Sequence, residues 1–386
     1  MSQCNNRMLK DGRWDFYNPV RVFAGVDVLH LLADVVKGSR ILLLTTSGFS
    51  KRGVTNKVSD ILGQSLIEVV DGIEPNPELA RLESLAQELR YVHCDTIVAL
   101  GGGSVIDTAK VISATLPRIE GGFSLRAHLE NNLGDLTEPG IPVVAIPTTA
   151  GTGAEVTPFA TVWDSDAKKK YSLSGPGLFP GVALVDPGLT LTLPREQTIT
   201  TGLDAISHAF ESIWNRNATP ITIMYATEAL RIAMPTLPML VDDLDNLQHR
   251  TKMLQASLFA GLAISNTKTA LAHSISYPLT LKYGVPHGLA CSFALPAILR
   301  FNAEEDDGRI LKAALYLGCE TVDNLVEYLG KLSTYLDVRG LLGQYVIHSS
   351  QIGNDVSEVL ASVRASNNLR AASKDDVLSI IESSLN

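Results

Sequence analysis

Hydrophobic and polar positions have two different periodicities along this chain, and the periodicity changes near residue 190. Before it, short runs rich in β-branched residues alternate with amphipathic stretches. The runs predict strands at 20–25, 40–46, 66–70, 96–102, 143–147, 160–163, 170–174 and 182–185. Helical spacing at 77–92 and 104–116 predicts helices between them. Nearly continuous apolar strands that alternate with helices are typical of a parallel sheet covered on both faces.

From residue 195 onward the apolar spacing is mostly helical. Near the end, Ser373 has the character of an N-cap, followed by acidic residues in the first turn of a last helix. We therefore predict an α/β domain over 1–190 and an all-α domain over 191–386. The stretch 117–140 has no clear periodicity and predicts an irregular surface loop or excursion.

Composition narrows the class of protein. With 386 residues, 45% of them hydrophobic and 19% charged, the chain is long enough for two well-filled cores. Its net charge of -9, without a Lys/Arg run, argues against nucleic-acid and anionic-membrane partners. No apolar stretch has the length of a membrane span, and residues 1–16 lack the apolar region expected of a secretory signal. The scattered cysteines Cys4, Cys94, Cys291 and Cys319 indicate reduced thiols, so we expect a cytoplasmic protein.

A glycine triplet stands between a predicted strand and a predicted helix. Gly101, Gly102 and Gly103 lack Cβ atoms, so a phosphate can approach the backbone N–H groups at the start of the helix. The alternative is a helix cap, with Ser104 as N-cap and Asp107 completing a pair that resembles a capping box. Both interpretations can hold together.

A second loop, PTTAGTGAE at 147–155, follows the predicted strand at 143–147. Its hydroxyls, on Thr148, Thr149 and Thr152, stand among small residues and are suited to cofactor contacts. The alternative is a threonine-rich turn that joins two strands.

Four residues in the second half have the spacing of a mononuclear metal site. Asp204 and His208 lie four apart and point from one face of a helix, and His273 and His287 follow. One carboxylate and three imidazoles suit Fe²⁺ or Zn²⁺. The alternatives are a solvent-facing polar stripe, which would include Glu211, and buried histidines that only form hydrogen bonds.

Cys291 comes four residues after His287 and is interpreted either as a neighbour of the metal or as a small buried apolar side chain. The remaining histidines have no such context and are interpreted as surface or core residues: His30, His93, His128, His249 and His348.

The order of five motifs carries a resemblance over nearly the whole chain. GGGSxxDxAK, PTTAGTGxE, GLDAxxHAxE, a His-bearing helix and GxPHG resemble the iron-containing alcohol dehydrogenase family, whose fold is similar to that of glycerol dehydrogenase and dehydroquinate synthase. The resemblance implies a Rossmann-like N-terminal domain, a helical C-terminal domain, and a cleft that holds NAD or NADP and a divalent metal, Fe²⁺ or Zn²⁺.

Matched to the motifs, the implied metal ligands are Asp204, His208, His273 and His287. The implied cofactor contacts are Gly102, Gly103, Ser104, Asp107, Thr148, Thr149, Thr152 and Lys170. The implied reaction is hydride transfer between the nicotinamide and a small aldehyde or primary alcohol, with the metal as Lewis acid. Family habit also implies a homodimer or a larger homo-oligomer.

Three positions depart from what the resemblance leads us to expect, and each bears on specificity. Thr46 stands where NAD-preferring relatives carry an Asp, so NADPH is expected to be accepted. Tyr277 stands where many members have a proton-relay histidine, which favours aldehyde reduction because tyrosine is a poor base near neutral pH. Lys268 lies five residues before His273 and is predicted either to contact an anionic substrate tail or to be solvated.

The string TKTxxAHxxSYPLT is similar to that of phosphonoacetaldehyde reductases within the family, which implies reduction of phosphonoacetaldehyde to 2-hydroxyethylphosphonate. Two other classes stay open at this point. One is a lyase or dehydrogenase of the same fold, like dehydroquinate synthase or glycerol dehydrogenase. The other is a sensor that binds NAD(P) without turnover. HExxH and GxSxG are absent from the sequence, which removes the main support for a zincin or an α/β-hydrolase.

Overall fold

A computed structural model describes residues 13–345 and 355–385, so the predictions for Cys4 and His348 fall outside the described residues. The chain divides into two compact units. An α/β unit comprises 18–149 and 154–192, and a helical unit comprises, among the described residues, 13–17, 150–153 and those from 193 onward. The fold class predicted from the sequence is confirmed. The domain boundary at residue 190 stays a prediction.

The strands of the α/β unit are β1 Arg21–Ala24, β2 Ile41–Leu44, β3 Leu66–Val70, β4 Thr96–Gly101, β5 Val143–Pro147, β6 Phe159–Asp164, β7 Lys169–Ser174 and β8 Val182–Val185. Six of them form a parallel sheet in the order β1-β8-β5-β4-β2-β3. The remaining two, β6 and β7, form an antiparallel hairpin of their own.

The central strands β2, β4 and β5 are buried along their whole length, and their successive side chains point to opposite faces of the sheet. On β2, Leu42 and Leu44 enter one apolar cluster while Ile41 and Leu43 enter the other. All four side chains are inaccessible to solvent. This explains why these strands have continuous apolar sequences, without alternation of apolar and polar residues.

The helices of this unit are α1 Leu32–Val35, α2 Ser47–Lys51, α3 Val54–Leu62, α4 Leu79–Glu88, α5 Gly103–Thr115 and α6 Leu125–Glu130. The prediction of an irregular surface loop at 117–140 is partly wrong, because α6 forms within it. Ser124 caps α6 by accepting a hydrogen bond from the Ala127 N–H, and Leu125 and Leu129 are buried against the β6–β7 hairpin.

The helical unit contains α7 Arg195–Ile213, α8 Pro220–Asp242, α9 Leu247–Thr267, α10 Leu271–Tyr283, α11 His287–Ser292, α12 Leu295–Ala303, α13 Arg309–Tyr316, α14 Val322–Tyr335, α15 Val338–Gly343, α16 Val356–Ala361 and α17 Lys374–Leu385. Single turns of 3-10 helix occur at Val28–Leu31, Gly63–Ser65, Leu116–Arg118, Ala154–Val156, Pro176–Leu178, Pro187–Thr190 and Ala365–Asn367. As predicted, the Ser373 hydroxyl caps α17 by accepting from the Asp376 N–H. Among the helices in the described ranges, none combines the length and apolar character needed to cross a bilayer.

The sequence does not reveal a break between α9 and α10. Lys268 ends α9 with a φ of 62°, which turns the chain away from the helix axis. Its carbonyl accepts a hydrogen bond from the Asn215 side chain at 3.1 Å, and its own side chain is exposed. Lys268 therefore lies at the end of α9 and His273 on α10.

Candidate metal centre and nucleotide-binding edge

The carboxyl ends of three adjacent strands bring several predicted cofactor contacts together. In the sheet, β4 lies between β5 and β2, so residues that follow these strands share one edge. Thr46 follows β2, Gly102 follows β4, and Thr148 follows β5, with the Thr148 N–H donating to the Gly101 carbonyl at 3.1 Å. Ligands of open α/β sheets bind at such an edge.

Close packing explains two of the glycines. A Cβ at Gly101 would lie 2.4 Å from Val105 Cγ2, and a Cβ at Gly102 would lie 3.2 Å from Thr149 Cγ2. Gly102, and not Ser104, is the N-cap of α5, and its carbonyl accepts from the N–H groups of the first turn. The predicted Ser104 cap is wrong because the Ser104 hydroxyl instead accepts from the Asn76 N–H at 3.1 Å.

The predicted partner of that cap, Asp107, is also engaged elsewhere. Its carboxylate accepts from the Thr161 N–H at 2.8 Å and lies 3.9 Å from the Nζ of Lys110. Burial raises the pKa of Asp107, while the charges of Lys110 and Lys170 oppose that rise. Lys170 lies on β7 with its Nζ 4.9 Å from the centroid of the Trp163 ring. A cofactor role for Asp107 or Lys170 stays a prediction.

Thr152 differs from the other loop threonines because it belongs to the segment 150–153 of the helical unit. The next residue, Gly153, has a φ of 60°, and a Cβ there would lie 2.4 Å from the Gly261 Cα. This close approach fixes the segment against α9. Thr148 and Thr149, in contrast, belong to the α/β unit.

The helical unit gathers the residues of the predicted metal site. Asp204 and His208 lie one turn apart on α7, with the Asp204 Oδ1 3.7 Å from the His208 Nε2. His273 on α10 places its Nε2 3.7 Å from the same oxygen. The rings of His273 and His287, the first residue of α11, lie 5.2 Å apart edge to face.

Burial removes the alternative of a solvent-facing stripe. The exposed fraction is 3% for Asp204, 5% for His208, 2% for His273 and 0% for Glu211. Of the described buried side chains, Asp204 leaves its Oδ1, and His273 its Nε2, without a hydrogen-bond partner. Two orphaned atoms of ligand type that face each other at 3.7 Å are what a shared cation would explain. The residues present therefore fit a divalent metal.

Glu211 is a member of this site that the sequence left unassigned. Its Oε2 accepts from the His273 Nδ1 at 2.7 Å, and the carboxylate also accepts from the N–H groups of Ala270 and His273. Because Nδ1 donates to this carboxylate, the Nε2 of His273 is left with its lone pair directed to Asp204. His208 is oriented in a similar way, by a contact of 3.3 Å between its Nδ1 and the Gly151 carbonyl. The signal in the sequence was the position of Glu211 on the stripe of Asp204 and His208.

The electrostatics of the cluster favour a positive charge at its centre. Burial alone would raise the pKa of Asp204, but His208 and His273 outweigh it and hold that pKa well below its usual range. Burial would likewise lower the pKa of His273, yet the acidic groups Cys291, Glu211 and Asp204 raise it. Burial lowers the pKa of His208, which favours the neutral imidazole that metals bind.

A glycine allows α11 to reach the site. A Cβ at Gly288 would lie 1.9 Å from the Thr200 carbonyl oxygen and 3.0 Å from the Asp204 Cβ. The chain can therefore bring His287 next to Asp204 only if the following residue has no side chain. This is the physical reason for the glycine of the GxPHG motif.

Cys291 is buried and lies in the same cluster of side chains, and its place beside a metal stays a prediction. Its Sγ lies 3.7 Å from each ring nitrogen of His287. The described cysteines, Cys94, Cys291 and Cys319, are free. The other described histidines lie elsewhere: His30 and His93 are exposed, His128 contacts the Gly134 carbonyl, and His249 lies near the start of α9.

Tyr277 lies one turn after His273 on α10, and the guanidinium of Arg364 packs over its ring, 5.0 Å from the centroid. Burial raises the pKa of Tyr277, while the charges of Arg364 and His273 oppose that rise. Tyr277 therefore lies beside the cation Arg364 and one turn from the predicted metal ligand His273. Lys268, the other residue predicted to act on substrate, is exposed at the end of α9.

Known proteins resemble this chain along its whole length. The family model for iron-containing alcohol dehydrogenase matches residues 19–187, and the model for the C-terminal part of the Fe-containing alcohol dehydrogenase family matches 198–385. The chain is 36% identical over 274 residues to phosphonoacetaldehyde reductase of Streptomyces viridochromogenes, covering 69% of this chain and 68% of that one. It is 33% identical over 319 residues to 1,3-propanediol dehydrogenase of Citrobacter freundii, covering 81% of each.

Among solved structures, sulfoacetaldehyde reductase from Bifidobacterium kashiwanohense in complex with NAD⁺ matches with a TM-score of 0.90 at 29% identity, covering 97% of this chain and 99% of that one. The resemblance found in the motifs is thus confirmed by models of both halves. The chain belongs to the iron-containing alcohol dehydrogenase family and is an oxidoreductase of that type.

Proposed function

We propose that this chain reduces a small aldehyde to a primary alcohol with NAD(P)H, at a mononuclear centre that holds Fe²⁺ or Zn²⁺. The observation that carries the proposal is the pair of orphaned, buried atoms on Asp204 and His273. When bound, the metal supplies Lewis-acid polarisation of the carbonyl, and the nicotinamide supplies the hydride. The predicted ligands Asp204, His208, His273 and His287 would hold the metal, and Glu211 fixes the ring of His273.

The cofactor binds, in this proposal, at the carboxyl edge of the sheet. The backbone at Gly102 and Gly103 receives the pyrophosphate at the N-terminus of α5, and the hydroxyls of Thr148 and Thr149 line the same edge. Thr46 at the end of β2 brings no negative charge toward a 2′-phosphate, so we expect NADPH to be accepted. Steady-state assays with both cofactors test this, and a strong preference for NADH would contradict it.

Tyr277 is the proposed proton donor to the nascent alcohol. A phenol has an ordinary pKa of about 10 and is protonated at neutral pH, and burial raises the pKa of Tyr277 further. Tyr277 can therefore give a proton but cannot readily take one. This favours aldehyde reduction over alcohol oxidation. Replacing Tyr277 by Phe should slow reduction by a factor of about 10²–10⁴, the usual contribution of general acid catalysis. An unchanged rate would exclude the role.

The substrate that we propose is an aldehyde with an anionic tail, phosphonoacetaldehyde in the first place, which would give 2-hydroxyethylphosphonate. Two of the similar proteins named above act on aldehydes with a phosphonate or sulfonate group. Within this chain, Arg364 offers a planar guanidinium next to Tyr277, suited to bidentate binding of such oxygens. Lys268, the residue considered for this role from the sequence, has an exposed side chain and is the weaker candidate.

The test compares phosphonoacetaldehyde, sulfoacetaldehyde and propanal as substrates of the wild type, Arg364→Ala, Arg364→Lys and Lys268→Ala. We expect Arg364→Ala to raise the KM for phosphonoacetaldehyde at least tenfold more than the KM for propanal, with partial recovery in Arg364→Lys. Lys268→Ala serves as the matched cation control. A wild type that prefers propanal would overturn the substrate while leaving the reductase intact. Absence of turnover on the whole panel would overturn the proposed function and revive an NAD(P)-binding sensor.

The assembly of the chain stays a prediction from family habit, and we propose a homodimer or a larger homo-oligomer. Light scattering coupled to size exclusion measures its mass against the 41.5 kDa of one chain.

A further inference from the structure

Cys291 lies among the predicted metal ligands but is not one of the Asp and three His residues predicted from the sequence. It lies one turn after His287 on α11 and is 1% exposed. Its Sγ lies 3.7 Å from the Nδ1 and 3.7 Å from the Nε2 of His287. A buried cysteine by itself is usually an inert apolar side chain, so its surroundings decide its role.

Those surroundings consist of three other ligand atoms. One donor atom each from Asp204, His273, His287 and Cys291 lies within 4.8 Å of every other donor of the group. Two members of this group, Asp204 and His273, carry the orphaned buried atoms. The cysteine therefore shares its pocket with atoms that the described protein leaves without a hydrogen-bond partner.

His208 lies at the margin of this group. Its Nε2 is 3.7 Å from the Asp204 Oδ1, and its ring stacks on that of His273 with centroids 4.7 Å apart. Among the described residues, the set of donors that are all mutually close contains Cys291 and leaves out His208. The sulfur thus lies at least as near the centre of the cluster as the third imidazole does.

We propose that the Sγ of Cys291 is a metal ligand in this chain and that it shifts the centre toward Zn²⁺ over Fe²⁺. Thiolate is a soft donor that zinc takes readily in proteins, and in this proposal it joins the carboxylate oxygen and the imidazole nitrogens of the proposed centre. Binding releases the thiol proton to solvent, and the sulfur lone pair forms the bond to the metal. The inference rests on the metal centre of the proposed function.

X-ray absorption at the zinc K edge of the zinc-loaded wild type tests it directly. We expect one sulfur neighbour at about 2.3 Å beside nitrogen and oxygen neighbours at about 2.0–2.1 Å. Cys291→Ser should lose the sulfur signal or lose the metal, whereas Cys319→Ser, which removes another buried thiol, should keep both. Zinc bound only by nitrogen and oxygen in the wild type would overturn the inference, as would a sulfur signal that persists in Cys291→Ser.

Competition between metals gives a second readout that is independent of enzyme activity. Wild-type protein stripped of metal and exposed anaerobically to equal Zn²⁺ and Fe²⁺ should retain zinc in excess by at least tenfold. Cys291→Ser should narrow that ratio, and an equal ratio in both proteins would contradict the claimed selectivity. Metal-dependent aldehyde reduction without a sulfur ligand would sink this inference alone. A chain that binds no divalent metal would overturn the proposed function as well.

Discussion

At the carboxyl edge of the sheet the candidate binding groups are backbone amides and hydroxyls, whereas in the helical unit they are ionisable side chains shielded from water. The edge depends on missing side chains, as at Gly102, where a Cβ would meet Thr149 at 3.2 Å. The predicted metal site depends on buried charged side chains. The free-energy cost of burying each charge is offset by the charges of its neighbours, as between Asp204 and His208. Substitutions at the edge should therefore act through shape, and substitutions in the cluster should act through charge.

The largest expected effect is that of Asp204→Asn, which keeps the shape of the cluster and removes its negative charge. We expect loss of bound metal and a fall in aldehyde reduction of roughly a thousandfold, because Lewis-acid stabilisation is worth several kcal/mol. Binding of NAD(P)H, followed by its fluorescence, should persist because the edge carries no part of this charge. The exposed Asp60→Asn on α3 is the control. Loss of nucleotide binding in Asp204→Asn would show that the carboxyl edge of the sheet also depends on the charge of the metal site.

A smaller effect is expected from Gly288→Ala, which asks whether the cluster depends on shape too. The new Cβ would lie 1.9 Å from the Thr200 carbonyl oxygen, so α11 must move away from α7 and carry His287 with it. We expect about 1–3 kcal/mol of lost stability from overpacking and a metal affinity lower by roughly 10–100-fold. Calorimetry and metal titration measure the two.

Gly330→Ala on α14 is the matched control, since a Cβ there has no atom within 4 Å. A Gly288→Ala protein with the metal affinity of the wild type would mean that the cluster tolerates a displaced α11, and that charge alone governs it.

The smallest effect concerns two buried ionisable side chains of the α/β unit, Glu155 and Lys110. Burial raises the pKa of Glu155 from 4.5 to about 7 and lowers that of Lys110 from 10.5 to about 8. The folded state then binds more protons than the unfolded state between pH 4.5 and 7, so stability falls across that window. Between pH 8 and 10.5 it binds fewer protons, and stability rises.

Glu155→Gln should abolish the fall of the free energy of unfolding with rising pH, a difference of about 1–2 kcal/mol between pH 5 and 7. We expect little change in aldehyde reduction. Urea unfolding at several pH values measures it. Parallel curves for the wild type and the variant would show that this carboxyl titrates as it does in the unfolded chain.

The sequence predicts most of what depends on local pattern. Apolar runs identify the strands because burial on both faces leaves no polar alternation, and the i,i+4 spacing of Asp204 and His208 is preserved on α7. What it misses depends on contacts between distant segments. The bond from His273 to Glu211 spans 62 residues. The turn at Lys268 requires a left-handed φ in a residue type that seldom adopts it.

The cap at Ser104 shows a related difficulty. The capping pattern correctly indicates that a helix begins here. However, the Ser104 hydroxyl accepts from the Asn76 N–H, and Gly102 is the N-cap. Likewise, the relative positions of Cys291 and His208 around Asp204 depend on how α11 packs, which is set by the close approach at Gly288. Sequence motifs identify the candidate residues, whereas tertiary packing determines which residues contact one another.

The place of β8 in the sheet has a consequence for how the chain is made. β8 lies between β1 and β5, and Arg21 of β1 pairs with Val182 of β8. During synthesis the first strand therefore has no neighbour until some 160 residues later have emerged. At the usual rate of translation this takes on the order of 10–30 s. A ribosome that stalls before residue 182 therefore leaves β1 without its partner strand and β5 as an unpaired edge of the sheet, and unpaired edges favour aggregation.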